Sequence, residues 1–382
     1  MMADLPGAAT TASASLCAPA QDTGHQLKLK PFKGGQLSTR NAGMHQVLMA
    51  CPTLKKGFDT ALFMSHPLVQ TFIGSAVRSA KLTIERSLEC HLSDGGLVTI
   101  DLSPPGKLSN HLALVIPGAA GGSDVPYVRS LAKRLFDAGF LVAILNRRGT
   151  TAHTPLKTSE PLQYAKTSDL LAAIVLLQET FPGFTIFAVG VSIGANLMLK
   201  TLGEHPDCGV TFAVSVANGY DFIRGSMYLE QTNPALSKVI SGDMIQRLIL
   251  PWEETLNTSH GINVREVFAN CTGMRDFDER LSKTFFGFAS VDEYYASCTC
   301  VPVIERISIP FVCINALDDP IAHANILPVD QVSQSAKGAI ILTDHGGHQG
   351  WINSVSCIWG HSWIENLVAD LFQQMITAHK FM

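Results

Sequence analysis

The stretch Phe187-Ala-Val-Gly-Val-Ser-Ile-Gly-Ala-Asn196 decides how the rest of the chain is read. At its centre is Gly190-Val-Ser192-Ile-Gly194, entered by an apolar run over residues 185–189 and left by a helix-compatible run over 195–202. A serine hydroxyl is a weak nucleophile unless its oxygen stands clear of its surroundings beside a base. A tight strand-to-helix turn achieves that, and a glycine two residues to either side leaves room for the strained backbone. Ser192 is therefore the candidate nucleophile. The amide of Ile193, at the N-terminus of the following helix, is a candidate donor to negative charge developing on a carbonyl oxygen.

Short apolar runs alternate with amphipathic segments on both sides of this turn. Strands are expected over 82–89, 97–102, 112–116, 141–145, 185–189, 210–216, 310–316 and 339–343. Helices are expected over 127–138, from Ser168-Asp169 onward, over 195–202, and from the capping box Ser362-Trp-Ile-Glu365 to the C-terminal region. Buried strands interleaved with helices imply an α/β fold: a mostly parallel central sheet flanked by helices on both faces. The rhythm breaks between residues 219 and 308, a stretch rich in Met, Phe and Tyr that reads as a helical cap insertion. Residues 1–40 lack periodicity and read as a disordered or loosely attached tail, leaving 41–382 as the folded domain.

A nucleophilic serine needs a base and a residue to orient that base, and both expected positions are filled. The strand over 310–316 runs into Leu317-Asp318-Asp319-Pro320, and that over 339–343 into Asp344-His345-Gly-Gly-His348. His348 is preferred to His345 because it lies beyond the glycine pair, where the loop can turn back over the sheet edge. Asp319 is preferred to Asp318, one orienting the imidazole and the other bonding locally. The second half of an oxyanion hole is expected from Pro117-Gly-Ala-Ala-Gly-Gly122, with Ala119 as the backbone donor.

Composition narrows the alternatives. In 382 residues the net charge is −4 and the charged fraction 16%, so there is no basic footprint for nucleic acid. Nine cysteines without a C-x-x-C pair favour reduced thiols over a disulfide framework. No histidine cluster has zinc-ligand spacing, and no cofactor motif is read. No apolar run approaches the ~18 residues that span a bilayer, and no signal-peptide layout precedes the domain. A cytoplasmic protein is expected, with peripheral membrane contact compatible with the sequence.

The ordered motifs add a resemblance. They are Cys51-Pro-x-Leu54, Gln70-Thr-Phe72, Asp94-Gly-Gly96, Pro117-Gly118, Tyr127-Val-Arg129, Asn146-Arg-Arg-Gly149 and Gly190-Val-Ser-Ile-Gly-Ala-Asn196. Further on come Leu199-Lys-x-Leu-Gly203, Asp276-Phe-Asp278, Tyr294-Tyr295, Ala316-x-Asp-Asp-Pro320 and His345-Gly-Gly-His348-x-Gly-Trp351. From about Cys51 onward the chain resembles the α/β-hydrolase-fold family that joins mammalian α/β-hydrolase-domain-containing proteins, bacterial YheT-type hydrolases and yeast ethyl-ester-forming enzymes. The resemblance implies a triad of Ser192, Asp319 and His348. It also implies acyl transfer without a cofactor on a lipid-type carboxylic ester: an acylglycerol, a phospholipid or a medium-chain ester. Two departures stand out: the mammalian relatives carry an N-terminal membrane anchor, and Ala119-Ala120 stands where relatives often have a larger apolar residue. An acyltransferase using the same triad, with an alcohol in place of water, is the alternative. A non-catalytic ligand-binding module on this fold is the third reading.

Overall fold

The computed structural model describes residues 29–60, 64–77, 80–108 and 110–379. Among them ten strands form one sheet. They are β1 (Lys30–Phe32), β2 (Gly35–Ser38), β3 (Arg86–His91), β4 (Leu97–Leu102), β5 (His111–Ile116), β6 (Leu141–Asn146), β7 (Thr185–Val191), β8 (Val210–Val216), β9 (Phe311–Ala316) and β10 (Gly338–Thr343). The order across the sheet is β1-β2-β10-β9-β8-β7-β5-β6-β4-β3. From β10 to β6 every neighbouring pair is parallel. The hairpins β1–β2 and β3–β4 join antiparallel at the two edges.

Period-two alternation places successive side chains on opposite faces, and both faces are covered. On β5, Ala113 and Val115 pack toward the helices Ala42–Ala50, Pro126–Asp137 and Trp363–His379. Leu112, Leu114 and Ile116 pack toward Thr167–Thr180 and Ile193–Glu204. The first face is centred on buried aromatics. Ring centroids are 5.7 Å apart for Phe140–Phe187, 5.3 Å for Phe187–Phe372 and 5.9 Å for Phe212–Phe372. Tilted and edge-on contacts at these distances suit the ring quadrupoles and add to the area buried.

Three local differences from the sequence reading have physical causes. The stretch expected as a tail reaches into the sheet: β1 and β2 lie inside residues 1–40, and β2 covers the open edge of β10. Leu37 sits buried there while its backbone pairs with Ile341. The earlier part of that tail lies outside the described residues. The helix expected to open at Ser168-Asp169 begins at Thr167 with no side-chain cap. Asp169 instead holds Arg148, at 2.6 and 2.9 Å. Strand β3 begins at Arg86 rather than Leu82. At the final helix, Glu365 does reach back to the Ser362 amide at 2.9 Å, as a capping box requires.

Between β8 and β9 the chain builds helices Phe222–Thr232, Pro234–Met244, Glu253–His260, Met274–Leu281 and Val291–Cys298. They enclose a core of their own around Met244, Leu248, Phe277 and Tyr294. Asp278, buried at its centre, accepts hydrogen bonds from Tyr164 Oη at 2.5 Å and Tyr295 Oη at 2.6 Å. Tyr164 belongs to the connection after β6, and its own amide donates to Tyr294 Oη at 3.0 Å. This buried network thus fastens the insertion to the sheet domain.

Burial pushes the Asp278 carboxyl up from 3.8 to about 7, against the opposing pull of the two tyrosine hydroxyls and Arg275. Below 3.8 the group is protonated whether the chain is folded or not. As pH rises from there to about 7, the unfolded chain ionises the carboxyl and the folded chain does not, so stability falls and then levels off. Asp278→Asn removes that ionisation. Its denaturation midpoint relative to wild type should rise between about pH 4 and about pH 8. A gap that stays constant with pH would show that Asp278 titrates normally.

Candidate active site

Because β5, β7, β9 and β10 run parallel, their C-terminal ends deliver their loops to one edge of the sheet. Every candidate residue sits there. Ser192 occupies the turn between β7 and the helix Ile193–Glu204, with φ 56° and ψ −124°. This is the left-handed side of the backbone map, which a residue with a Cβ occupies only when its surroundings impose it. The Ser192 amide donates to the Val216 carbonyl at 2.8 Å, and its carbonyl accepts from Ala195 at 2.9 Å. The flanking glycines are required by close approach. A Cβ on Gly190 would lie 2.6 Å from Ala195 Cα, and one on Gly194 would run into the carbonyls of Ile116 and Pro117.

The histidine arrives on the loop after β10. Gly346 (φ 152°) and Gly347 (φ 55°) turn the chain inward, and the His348 amide donates to Thr71 Oγ1 at 2.9 Å. The imidazole is buried, with Nε2 3.0 Å from Ser192 Oγ and Nδ1 2.8 Å from Asp319 Oδ2. A carboxylate held this way favours the Nδ1–H tautomer, which turns the Nε2 lone pair toward the serine hydroxyl. Asp319 Oδ1 is itself held by the amides of Ile321 at 2.8 Å and Ala322 at 2.9 Å. The carboxylate therefore has one oxygen fixed to the backbone and one free to orient the ring.

The competing residues have a separate place. Asp318 Oδ1 accepts from the Gly347 amide at 2.9 Å, and Oδ2 lies 3.3 Å from the exposed His345 ring. Burial raises the Asp318 carboxyl above its ordinary value. This pair braces the outside of the histidine loop and does not touch Ser192.

The two amides expected to receive an oxyanion are close by. Neither the Ile193 nor the Ala119 N–H has an acceptor among the described residues, whereas the Gly118 N–H donates to Tyr127 Oη at 2.7 Å. A Cβ on Gly118 would lie 3.3 Å from Ser192 Cβ, so this loop passes close against Ser192. Ala119 and Ile193 pack against the apolar core of the insertion, as does the buried Ala120. The insertion thus lies against the residues that surround Ser192.

Several residues that hold the site carry no catalytic signature in the sequence. Thr71 fixes the His348 backbone, and Gln70 braces the following segment. The Gln70 amide nitrogen donates to the Ile352 carbonyl at 2.8 Å, and its oxygen accepts from the Ile352 amide at 2.7 Å. Tyr127 is half-buried, and desolvation pushes its hydroxyl up to about 12. The motifs Gln70-Thr-Phe72 and Tyr127-Val-Arg129 were the only sequence signals for these positions.

With this geometry established, the chain can be set beside known proteins. No family model matches it. It is 28% identical over 347 residues to the monoacylglycerol lipase ABHD2 of Danio rerio, covering 85% of this chain and 82% of the relative. It is 27% identical over 348 residues to the embryogenesis-associated protein EMB8 of Picea glauca, covering 86% and 74%. The phospholipase ABHD3 of Bos taurus is 22% identical over 317 residues, covering 80% and 75%. Among solved structures, an esterase from Pyrococcus furiosus superposes with a TM-score of 0.53 at 12% identity, covering 79% of this chain and 98% of that one. Among the described residues no helix is long and apolar enough to cross a membrane. Sheet order and the strand-to-helix serine turn give the chain the α/β-hydrolase fold, and the curated proteins it is similar to include ABHD-type proteins.

Proposed function

We propose that the protein is a serine hydrolase that cleaves lipid-type carboxylic esters through an acyl-enzyme on Ser192. The observation that carries this reading is the buried imidazole of His348 between Ser192 Oγ at 3.0 Å and Asp319 Oδ2 at 2.8 Å. His348 Nε2 takes the hydroxyl proton as Ser192 Oγ attacks the ester carbonyl. Asp319 holds the ring and stabilises the imidazolium that forms. The Ile193 and Ala119 amides receive the oxyanion of the tetrahedral intermediate. When the intermediate collapses, the alcohol leaves with the proton from His348. Water then attacks the acyl-enzyme, giving its proton to the same nitrogen, and the acid is released as His348 returns that proton to Ser192 Oγ.

The substrate class rests on what surrounds the serine and on the names of the relatives. Those names, a monoacylglycerol lipase and a phospholipase, point to a lipid substrate. The insertion brings an apolar core against Ala119 and Ile193, a surface suited to an acyl chain and to excluding water from the reaction. Chain lengths of p-nitrophenyl esters measure this directly. The expected result is a kcat/KM optimum at medium or long chains, lost by at least ~10³-fold in Ser192→Ala with no change in thermal midpoint. Equal rates for acetate and longer esters would remove the acyl-chain assignment, and full activity in Ser192→Ala would remove the nucleophile.

The two adjacent carboxylates give a sharper test of the mechanism. Asp319→Asn presents a neutral amide to Nδ1 and is expected to lower kcat by ~10³–10⁴-fold. Asp318→Asn loosens only the outer brace of the loop and should cost about 10-fold or less. The reverse ranking would assign the orienting role to Asp318.

A further inference from the structure

The Asn146-Arg-Arg-Gly149 turn follows β6, beside the loop that passes close against Ser192. Its first arginine is unusual. Arg147 is 3% exposed, yet no carboxylate pairs with it among the described residues. Its neighbour Arg148 takes Asp169 and also Asp94, at 2.8 Å. Arg147 instead directs Nη2 at two successive carbonyl oxygens, those of Gly118 and of Ala119, the latter at 2.7 Å. Its Nε and Nη1 are buried without a partner. Desolvation pulls the guanidinium down to about 10, which leaves it protonated at neutral pH.

This contact has a geometric consequence for the candidate oxyanion hole. In a planar trans peptide the C=O and the following N–H point in opposite directions. Tying the Gly118 carbonyl to Arg147 therefore turns the Ala119 N–H away from Arg147. The other donor of this segment is already spent: the Gly118 N–H goes to Tyr127 Oη at 2.7 Å. Pro117 has none to offer. The Ala119 N–H, next along from Gly118, has no acceptor among the described residues, and a Cβ on Gly118 would lie 3.3 Å from Ser192 Cβ. The far end of the loop is fixed from the same turn, because Asn146 Oδ1 accepts from the Ser123 amide at 2.8 Å.

Charge adds to orientation. A cation bonded to a peptide carbonyl polarises that peptide and makes its N–H a stronger donor. With no carboxylate against it and little water around it, the Arg147 charge is weakly screened. We infer that Arg147 is a positioning residue for the oxyanion hole: it sets the direction of the Ala119 N–H and strengthens it through the Gly118–Ala119 peptide. This rests on the reading of Ser192 as an acyl-transfer nucleophile. It gives the Asn-Arg-Arg-Gly turn a division of labour. Asn146 and Arg147 clamp the loop, Arg148 ties the turn to Asp94 and Asp169, and Gly149 lets Trp252 of the insertion approach, its Nε1 donating to the Gly149 carbonyl at 2.8 Å.

The test compares wild type with Arg147→Met and Arg147→Lys. The readouts are steady-state kinetics on a p-nitrophenyl ester, affinity for an alkyl trifluoromethyl ketone, affinity for the matching unreactive alkyl amide, and thermal midpoint. The trifluoromethyl ketone places an oxyanion in the site and the amide does not. Arg147→Met is expected to lower kcat by about 10²-fold with KM within ~3-fold. Trifluoromethyl ketone affinity should fall in parallel while amide affinity holds. Arg147→Lys keeps the charge and one donor direction and should recover about 10-fold of that loss. It also carries the test if the methionine variant does not fold. Trifluoromethyl ketone affinity unchanged in both variants, or lost together with amide affinity and thermal stability, would reduce Arg147 to a structural residue. The underlying reading is scored separately on the wild type. Failure of wild-type protein to hydrolyse any ester or to bind the trifluoromethyl ketone would overturn that reading and this inference with it. An active wild type with an unaffected Arg147→Met overturns the inference alone.

Discussion

The backbone of Ser192 is the constraint on which the other parts depend. A residue with a side chain held at φ 56° carries roughly 1–3 kcal/mol of strain, and the turn persists only because its surroundings leave no alternative. Val216 takes its amide, Ala195 and Asn196 donate to its carbonyl, and the glycines on either side allow the helix to pack down on the end of β5. Those contacts are anchored in turn by the parallel strands. Any shift of β7 against β5 or β8 would move the serine relative to the loops that face it. The sheet works as a jig, and its large buried core supplies the stability against which the strain is set.

Around that fixed point the site is built from loops whose own polar groups are accounted for almost completely. Asp319 has one oxygen on two backbone amides and the other on His348. Thr71 holds the histidine backbone, and Tyr127 takes the Gly118 amide. Among the described residues the Ile193 and Ala119 N–H groups, on the turn and loop beside Ser192, have no acceptor. An unpaired donor costs more the less water reaches it, so two of them on half-buried residues beside Ser192 fit the proposed oxyanion hole. The insertion completes the arrangement by bringing an apolar core against both residues. That core is fastened to the sheet domain through Tyr164, Tyr294, Tyr295 and Asp278.

Much of this was legible in the sequence because local signals and fold-level rules coincide. The strand over 185–189 followed by Gly190-Val-Ser192-Ile-Gly194 states its own turn, and apolar runs before Asp318-Asp319 and His345 mark strands whose loops reach one edge. The choice between Asp318 and Asp319 is different in kind. Adjacent carboxylates point in different directions, so the decision lies in which one faces the imidazole, a property of the folded loop. The hairpin of β1 and β2 was missed because its strands are three and four residues long, include Pro31, and show no alternation. Asp278 and Arg147 were opaque for a common reason. A charged residue reads locally as solvent-facing, and only long-range packing shows that one sits between two tyrosines and the other beneath two carbonyls. Glu365, by contrast, was readable as a cap because its partner is three residues away.

The central claim is that His348 and Asp319 make Ser192 a nucleophile. An alkyl fluorophosphonate tests it most directly, since it phosphonylates a hydroxyl only where a base removes the proton and the displaced fluoride leaves. Intact-mass and peptide mass spectrometry of the treated protein should find one adduct, on the peptide bearing Ser192. The adduct should be absent in Ser192→Ala and form far more slowly in His348→Asn. A folded protein that gains no adduct, or that carries it on another residue, would contradict the account.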